Sequence, residues 1–282
     1  MGAADVVPGV SGGTVALVLG IYERLVASIK AGSSALGRMI RGDWPGMRRW
    51  LRQVDWGFLV PLLGGILLAV LSLARILESL LHDYPEEMAG AFAGLIAGSV
   101  VIAWRLVRRW HPLALAAAAG MAIAIFYGLG LREGTSDESV TQLADPALWA
   151  FFLAGAVAIC AMILPGVSGS FLLVVLGMYG PVLEAVNERS IATLAVMAAG
   201  MILGLAFFSQ LLSWALTHHH DTVVAGLIGL MAGSLRVLWP WPDGLDSTVL
   251  GRPDENMAGV VGLGVLGLAV VVLLGRLGSR VE

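Results

Sequence analysis

Two copies of the pentapeptide Pro-Gly-Val-Ser-Gly contain the residues of this chain that are best suited to chemistry. Motif 1 spans residues 8–14 and ends in Gly13 and Thr14, and motif 2 spans residues 165–170 and ends in Ser170. Clustered glycines leave backbone N–H groups open to a ligand, and serine and threonine add hydroxyl donors. If a helix begins within each motif, its free N–H groups and positive dipole end favour an anion. The two motifs therefore predict a paired anion-binding site.

Other chemistries fit the sequence less well. Residues 9–13 match the Gly-x-Ser-x-Gly pattern of a nucleophilic serine, but that pattern needs a strand, a turn and a helix, and motif 2 ends in Ser170. The three consecutive histidines 218–220 would point in different directions at a helix end, which favours a solvated cap or a pH-sensitive loop. Cys160 is the only cysteine, so disulfides and cysteine metal sites are excluded. We expect no metal, no cofactor and no nucleic-acid partner.

The composition is that of an integral membrane protein. The 282 residues are 58% hydrophobic and only 13% charged, whereas soluble domains carry about a quarter charged residues. A helix needs about 20 apolar residues to cross the bilayer. Apolar runs near that length predict six spans, at residues 56–80, 88–104, 113–131, 191–216, 222–239 and 257–277.

The chain contains an internal duplication. Residues 4–22 align with residues 161–179 without a gap, and GLIAGSVVIAW at 94–104 matches GLMAGSLRVLW at 229–239. In each half a motif segment is followed by three spans. The sequence therefore predicts an all-α polytopic membrane protein with two inverted repeats, residues 1–131 and 147–277. Each repeat combines a broken, re-entrant motif helix with three transmembrane helices.

The inversion depends on how motif 2 lies in the membrane. The apolar stretch 149–186 is too long for one span, and proline and glycine split it into two arms. If it is re-entrant the repeats are inverted, and if it crosses they are parallel. The basic loop 30–55 is cytoplasmic by the positive-inside rule. The number of lysine and arginine residues on the cytoplasmic side is the same in the two topologies, so it does not distinguish them. The lengths of the two arms of residues 149–186 favour the inverted topology. In that topology the C-terminus is cytoplasmic.

The two motif segments differ in what precedes them. An apolar arm leads into motif 2, whereas only seven residues precede motif 1. Either the first repeat lacks that arm or the sequence as given starts late.

A few charged residues lie in or beside apolar segments. Arg75 and Arg236 offer the planar guanidinium fork that suits phosphate, although snorkelling to the headgroups explains them equally well. Arg24 lies near the end of its segment, where snorkelling is the better interpretation. Asp5, Glu23 and Glu184 are possible proton-coupling carboxylates or simply interfacial residues.

The stretches GAADVVPGVSGGTVALVLGIYERLV and ILPGVSGSFLLVVLGMYGPVLEA resemble a family of bacterial polyprenyl-phosphate (undecaprenyl-phosphate) translocases. The resemblance implies a transporter in the cytoplasmic membrane that returns undecaprenyl phosphate from the outer to the inner leaflet for envelope polymer synthesis. Its partners would be the polyprenyl-phosphate lipid and membrane lipids, with the oligomeric state left open. The motif positions that it implies as substrate-binding are Asp5, Pro8, Gly9, Ser11, Gly12, Gly13, Thr14, Pro165, Gly166, Ser168, Gly169 and Ser170. The residues themselves add Arg75 and Arg236 as candidate phosphate-binding positions.

Two alternatives remain open at this stage. Integral-membrane undecaprenyl-pyrophosphate phosphatases also have inverted repeats and a Pro-Gly-x-Ser-Arg-Ser loop, but Gly12 and Gly169 stand here where that arginine would be. Phosphoryl transfer relies on such a charge in the transition state, which argues against hydrolysis. A small-anion transporter would fit the same motifs, and a lipid-accessible groove leading to the site would distinguish the two kinds of transporter.

Overall fold

The computed structural model describes residues 1–2, 11–130, 143, 146–242, 244, 250–253 and 256–278, and all regular secondary structure in these residues is helical. The helices are α1 Gly12–Val18, α2 Tyr22–Ile40, α3 Trp44–Leu51, α4 Trp56–Asp83, α5 Pro85–Ala103, α6 Pro112–Gly130, α7 Leu148–Ile163, α8 Gly169–Val175, α9 Tyr179–Asn187, α10 Ile191–His218, α11 His220–Ser234 and α12 Met257–Gly278. A short 3-10 turn, Trp104–Leu106, follows α5.

Four helices among the described residues, α4, α5, α10 and α12, are long and apolar enough to cross a membrane. This confirms the prediction of an all-α membrane protein. Helices α6 and α7 are also apolar, but their apolar stretches among the described residues, Pro112–Gly128 and Leu148–Ile163, are shorter. Helix α11 has 15 residues and ends at Ser234, earlier than the predicted span 222–239. Pro240 and Pro242 follow closely, and proline cannot continue a helix.

Each motif opens a short helix of seven residues that ends at a second break. Helix α1 is followed by Gly20 with φ +71°, and α8 is followed by Gly177 with φ +65°. These left-handed conformations favour glycine, and the chain turns there into α2 and α9. Helix α2 then continues beyond Lys30, and α3 also lies within the predicted basic loop 30–55. That loop is therefore largely helical.

The two halves interlock through equivalent helix pairs. Helix α5 packs against α12, and α11 packs against α6. In both pairs a glycine lies against the backbone of the partner helix. A Cβ atom at Gly94 would collide with the carbonyl oxygen of Gly264, and one at Gly229 would collide with that of Ala118. Small residues allow such close helix packing in membranes.

The most deeply buried side chains lie where the two halves meet. Tyr22 of α2, Ile96 of α5 and Met231 of α11 are each at most 2% exposed and belong to one apolar cluster. Ile163, just before motif 2, lies in the same cluster. The core of the protein thus packs around motif 2 and the described part of motif 1, residues 11–14.

Candidate functional site

The two motifs are in direct contact. Thr14 Oγ1 accepts a hydrogen bond from the backbone N–H of Gly166 at 3.0 Å. Ser11 Oγ donates to the carbonyl oxygen of Met162 at 3.2 Å, and Tyr22 Oη donates to that of Ile163 at 3.2 Å. Residues more than 140 positions apart in the sequence therefore form one structural unit, as a paired site requires.

Two motif glycines make this approach possible. A Cβ atom at Gly13 would lie 2.6 Å from the carbonyl oxygen of Ile163. Gly166 has φ +79°, and a Cβ atom there would lie 2.8 Å from Cα of Met231 in α11. Both distances are too short for real contacts with backbone atoms. These glycines therefore bring motif 1, motif 2 and α11 together.

The hydroxyl groups of the two motifs have different surroundings. Ser11 and Thr14 are each 2% exposed, and both bond to protein atoms. Ser11 Oγ also accepts the N–H of Gly13 at 3.1 Å and so caps α1. In motif 2, Ser168 is half-buried and Ser170 is exposed, and their hydroxyl oxygens lie 2.8 Å apart. Motif 1 thus holds the two loops together, while the motif 2 hydroxyls remain accessible.

Motif 2 borders a cavity of about 180 Å³, the motif-2 cavity. Its walls come from motif 2, α6, α8, the end of α11 and Val237 just beyond α11. They are apolar apart from the hydroxyls of Ser168 and Ser234 and the backbone. The lining residues are Ala124, Ile125, Gly128, Gly166, Val167, Ser168, Leu172, Val175, Ser234 and Val237.

Arg236 does not itself line the motif-2 cavity, but it is next to it in the chain, between the lining residues Ser234 and Val237. Its guanidinium carbon is 4.8 Å from the centre of the Phe126 ring, a cation–π contact. Its Nε is buried, and no described residue accepts a hydrogen bond from it. A buried donor without a partner is costly, so an acceptor atom of a ligand would stabilise this arginine.

The remaining predicted motif residues are placed only in part. Pro165 is buried in motif 2, and Gly12 and Gly169, the first residues of α1 and α8, are also buried. Asp5, Pro8 and Gly9 lie outside the described residues. Arg75 lies on α4, and its side chain is also outside the described part of the structure.

The other charged residues that the sequence singled out lie away from the motif contact. Arg24 is exposed, and its Nε donates to Asp55 at 2.7 Å, as suits an interfacial arginine. Glu184 lines a separate cavity together with Glu188.

Glu23 belongs to a polar cluster that sequence reasoning missed. Its Oε1 lies 3.1 Å from Nε2 of His220, whose Nδ1 lies 3.2 Å from Asp221. Asp221 also accepts the backbone N–H groups of Arg108 and Arg109 at 3.0 and 3.1 Å. The hydrogen bond from His220, followed by those from the two amides, holds the pKa of Asp221 below its ordinary value. The cluster ties the connection between α5 and α6 to the start of α11.

Comparison with known proteins gives a consistent result. The chain is 39% identical to the polyprenyl-phosphate transporter of Vibrio cholerae over 247 residues, which cover 87% of this chain and 76% of the relative. It is 34% identical to the polyprenyl-phosphate transporter of Staphylococcus aureus over 295 residues, which cover 100% of this chain and 95% of that relative. No solved structure matches the chain. A sequence model described as undecaprenyl phosphate translocase-like matches residues 1–252, and the chain therefore belongs to the undecaprenyl phosphate translocase-like family.

Proposed function

We propose that this protein carries the phosphate headgroup of undecaprenyl phosphate from the outer to the inner leaflet of the bacterial cytoplasmic membrane, for reuse in envelope polymer synthesis. The observation that carries the proposal is the contact between the two motifs beside an apolar cavity. The two relatives are named for polyprenyl-phosphate transport, which supports the same substrate class.

The headgroup binds first at motif 2. The hydroxyls of Ser168 and Ser170 are accessible there, and Arg236 has a buried donor to offer. Arginine presents a fork of donors that matches phosphate oxygens. The glycines and the buried hydroxyls shape the loops around the headgroup. The proposed headgroup contacts are Ser168, Ser170 and Arg236. The residues that shape the site around them are Ser11, Gly12, Gly13, Thr14, Pro165, Gly166 and Gly169. The sequence alone adds Asp5, Pro8, Gly9 and Arg75.

The repeats, residues 1–131 and 147–277, are inverted in this proposal, with re-entrant motif segments and a cytoplasmic C-terminus. Two contacts support it. Asp221 bonds to the backbone of Arg108, and Asn256 Nδ2 donates to Glu87 Oε1 at 2.6 Å. In an inverted arrangement the partners of each contact share a membrane face. In a parallel arrangement they would lie on opposite faces, about 30 Å apart across the hydrocarbon core.

Transport rather than hydrolysis fits the residues of the loops. Gly12 and Gly169 stand where a phosphatase loop would place its arginine, and both are buried. Each motif therefore lacks a side-chain charge at the position that would stabilise phosphoryl transfer. The apolar cavity beside motif 2 also favours a lipid over a small anion, because a free anion gains nothing from apolar walls.

Coupling to protons would involve the carboxylates Glu23 and Glu184, with Asp5 as a third candidate. Glu23 Oε1 lies 3.1 Å from Nε2 of His220, within hydrogen-bond distance. Glu23 also follows Tyr22, which bonds to the chain before motif 2 and connects this pair to the motif segments.

A competition experiment tests this proposal. Purified protein in lipid nanodiscs is loaded with radiolabelled undecaprenyl phosphate and challenged with unlabelled lipid, undecaprenol or inorganic phosphate. We expect only unlabelled undecaprenyl phosphate to displace the label at matched concentrations, because both headgroup and tail contribute to binding. Displacement by inorganic phosphate alone would support a small-anion transporter and contradict the proposal.

A further inference from the structure

A second cavity, the motif-1 cavity, lies beside α1 and has a volume of about 280 Å³. Its walls come from Met1, α1 with Leu19 just after it, α4, α5 and α12, and the described lining carries no charged side chain. We propose that the motif-1 and motif-2 cavities are two equivalent binding sites for the isoprenoid units next to the phosphate of a polyprenyl phosphate. The proposal rests on the proposed function and extends it to the lipid tail.

The repeat alignment relates the two cavities residue by residue. Val15, Val18 and Ser99 line the motif-1 cavity, and their aligned positions Leu172, Val175 and Ser234 line the motif-2 cavity. The opposite walls match as well. Val271 of α12 packs beside Gly98, as Ile125 of α6 packs beside Gly233, and both line their cavities.

The chemistry of both linings suits a hydrocarbon chain. Each contains one serine hydroxyl from the Ala-Gly-Ser triplet, and each hydroxyl bonds to its own helix. Ser99 Oγ donates to the carbonyl oxygen of Leu95 at 2.7 Å, and Ser234 Oγ donates to that of Met231 at 2.9 Å. Neither hydroxyl needs a ligand, so the walls offer mainly apolar contact, which is proportional to the apolar area that a ligand buries.

One contact between the motifs separates the two cavities. Thr14 lines the motif-1 cavity, Gly166 lines the motif-2 cavity, and the hydrogen bond of 3.0 Å joins these two residues. A phosphate that passes between the motifs therefore takes its first isoprene units out of one cavity and into the other. Both ends of the path then provide the same apolar support for the tail.

The two cavities differ in charge at one aligned position. Arg236 lies beside the motif-2 cavity, whereas its counterpart in the first repeat is Val101. The motif-2 cavity therefore binds the phosphate-bearing end more tightly, and the motif-1 cavity releases it more readily. This asymmetry suits capture at one leaflet and delivery at the other.

Photolabelling of the full-length protein in nanodiscs tests the proposal. The probe is a polyprenyl phosphate with a diazirine on its first isoprene unit, and adducts are located by peptide mass spectrometry. We expect adducts in both cavity linings, and unlabelled undecaprenyl phosphate should suppress them. Val18→Trp should reduce the motif-1 adducts about tenfold and leave the motif-2 adducts unchanged. Val175→Trp should do the reverse, and Val265→Trp, on an exposed face of α12, should change neither.

The outcomes separate this proposal from the proposed function. Suppressible adducts confined to the motif-2 cavity would overturn the second tail site and leave the transport function standing. Motif-1 adducts that persist in Val18→Trp would also overturn it, and retained motif-2 adducts in the same protein show that it is folded. If undecaprenyl phosphate suppressed no adduct anywhere, both proposals would fail.

Discussion

Replacing Gly166 with alanine should reduce transport about tenfold or more, whereas Gly20→Ala should retain most of it. Both glycines have positive φ, +79° and +71°, so alanine strains the backbone at both by about 1–2 kcal/mol. Only at Gly166 does the new Cβ atom meet another helix, at 2.8 Å from Cα of Met231, while Gly20 faces open space. The collision pushes motif 2 away from α11 and breaks the hydrogen bond between Gly166 and Thr14.

The comparison requires transport rates and thermal unfolding of both variants in the same lipid. Gly20→Ala controls for the cost of placing alanine in the left-handed conformation. The difference in transport rate between the two variants therefore measures the effect of the close contact between motif 2 and α11. Equal transport in two folded variants would show that the contact of motif 2 with α11 has no part in function.

Arg236→Ala should weaken binding of undecaprenyl phosphate by about ten- to a hundredfold. A charge-assisted hydrogen bond contributes roughly 1.5–3 kcal/mol, and about 1.4 kcal/mol corresponds to a factor of ten. The Nε of Arg236 is buried beside the motif-2 cavity, so a phosphate oxygen would supply its hydrogen-bond acceptor. Arg236→Lys should recover only part of the affinity, because an ammonium group cannot reproduce the guanidinium fork. The sequence predicts a loss of the same size for Arg75→Ala.

Arg24→Ala serves as the matched control. Arg24 is exposed and paired with Asp55, and exposed ion pairs contribute little. The affinity of the Arg24→Ala variant for undecaprenyl phosphate should therefore stay within about threefold of that of the unmodified protein. Equilibrium binding in nanodiscs gives all of these values. Unchanged affinity in the Arg75→Ala, Arg236→Ala double variant would remove both arginines from the headgroup site.

The sequence predicted the membrane class and a break at each motif, because both depend on local composition. The second breaks at Gly20 and Gly177, where glycine has positive φ, were not predicted. The length of α11 was harder to predict, since residues 235–239 are as apolar as the helix but precede two prolines.

The sequence shows one part of the asymmetry between the motifs, since Thr14 aligns with Phe171 and Ser170 aligns with Gly13. The other part could not be predicted. Ser11 and Ser168 are aligned, yet Ser11 is buried and donates to the carbonyl oxygen of Met162, a long-range contact, while Ser168 is half-buried. The pairing of Glu23 with His220 is likewise a contact between residues far apart in the chain.

A transport assay in proteoliposomes separates movement of the lipid between leaflets from hydrolysis of its phosphate. Vesicles with fluorescently labelled undecaprenyl phosphate are reconstituted with the protein, and the label exposed in the outer leaflet is followed with a membrane-impermeant quencher. Parallel vesicles containing undecaprenyl pyrophosphate are assayed for released inorganic phosphate. We expect protein-dependent movement of undecaprenyl phosphate between leaflets, reduced in Gly166→Ala, and no phosphate release above that of empty vesicles. Phosphate release at a catalytic rate without movement of the lipid between leaflets would contradict this expectation.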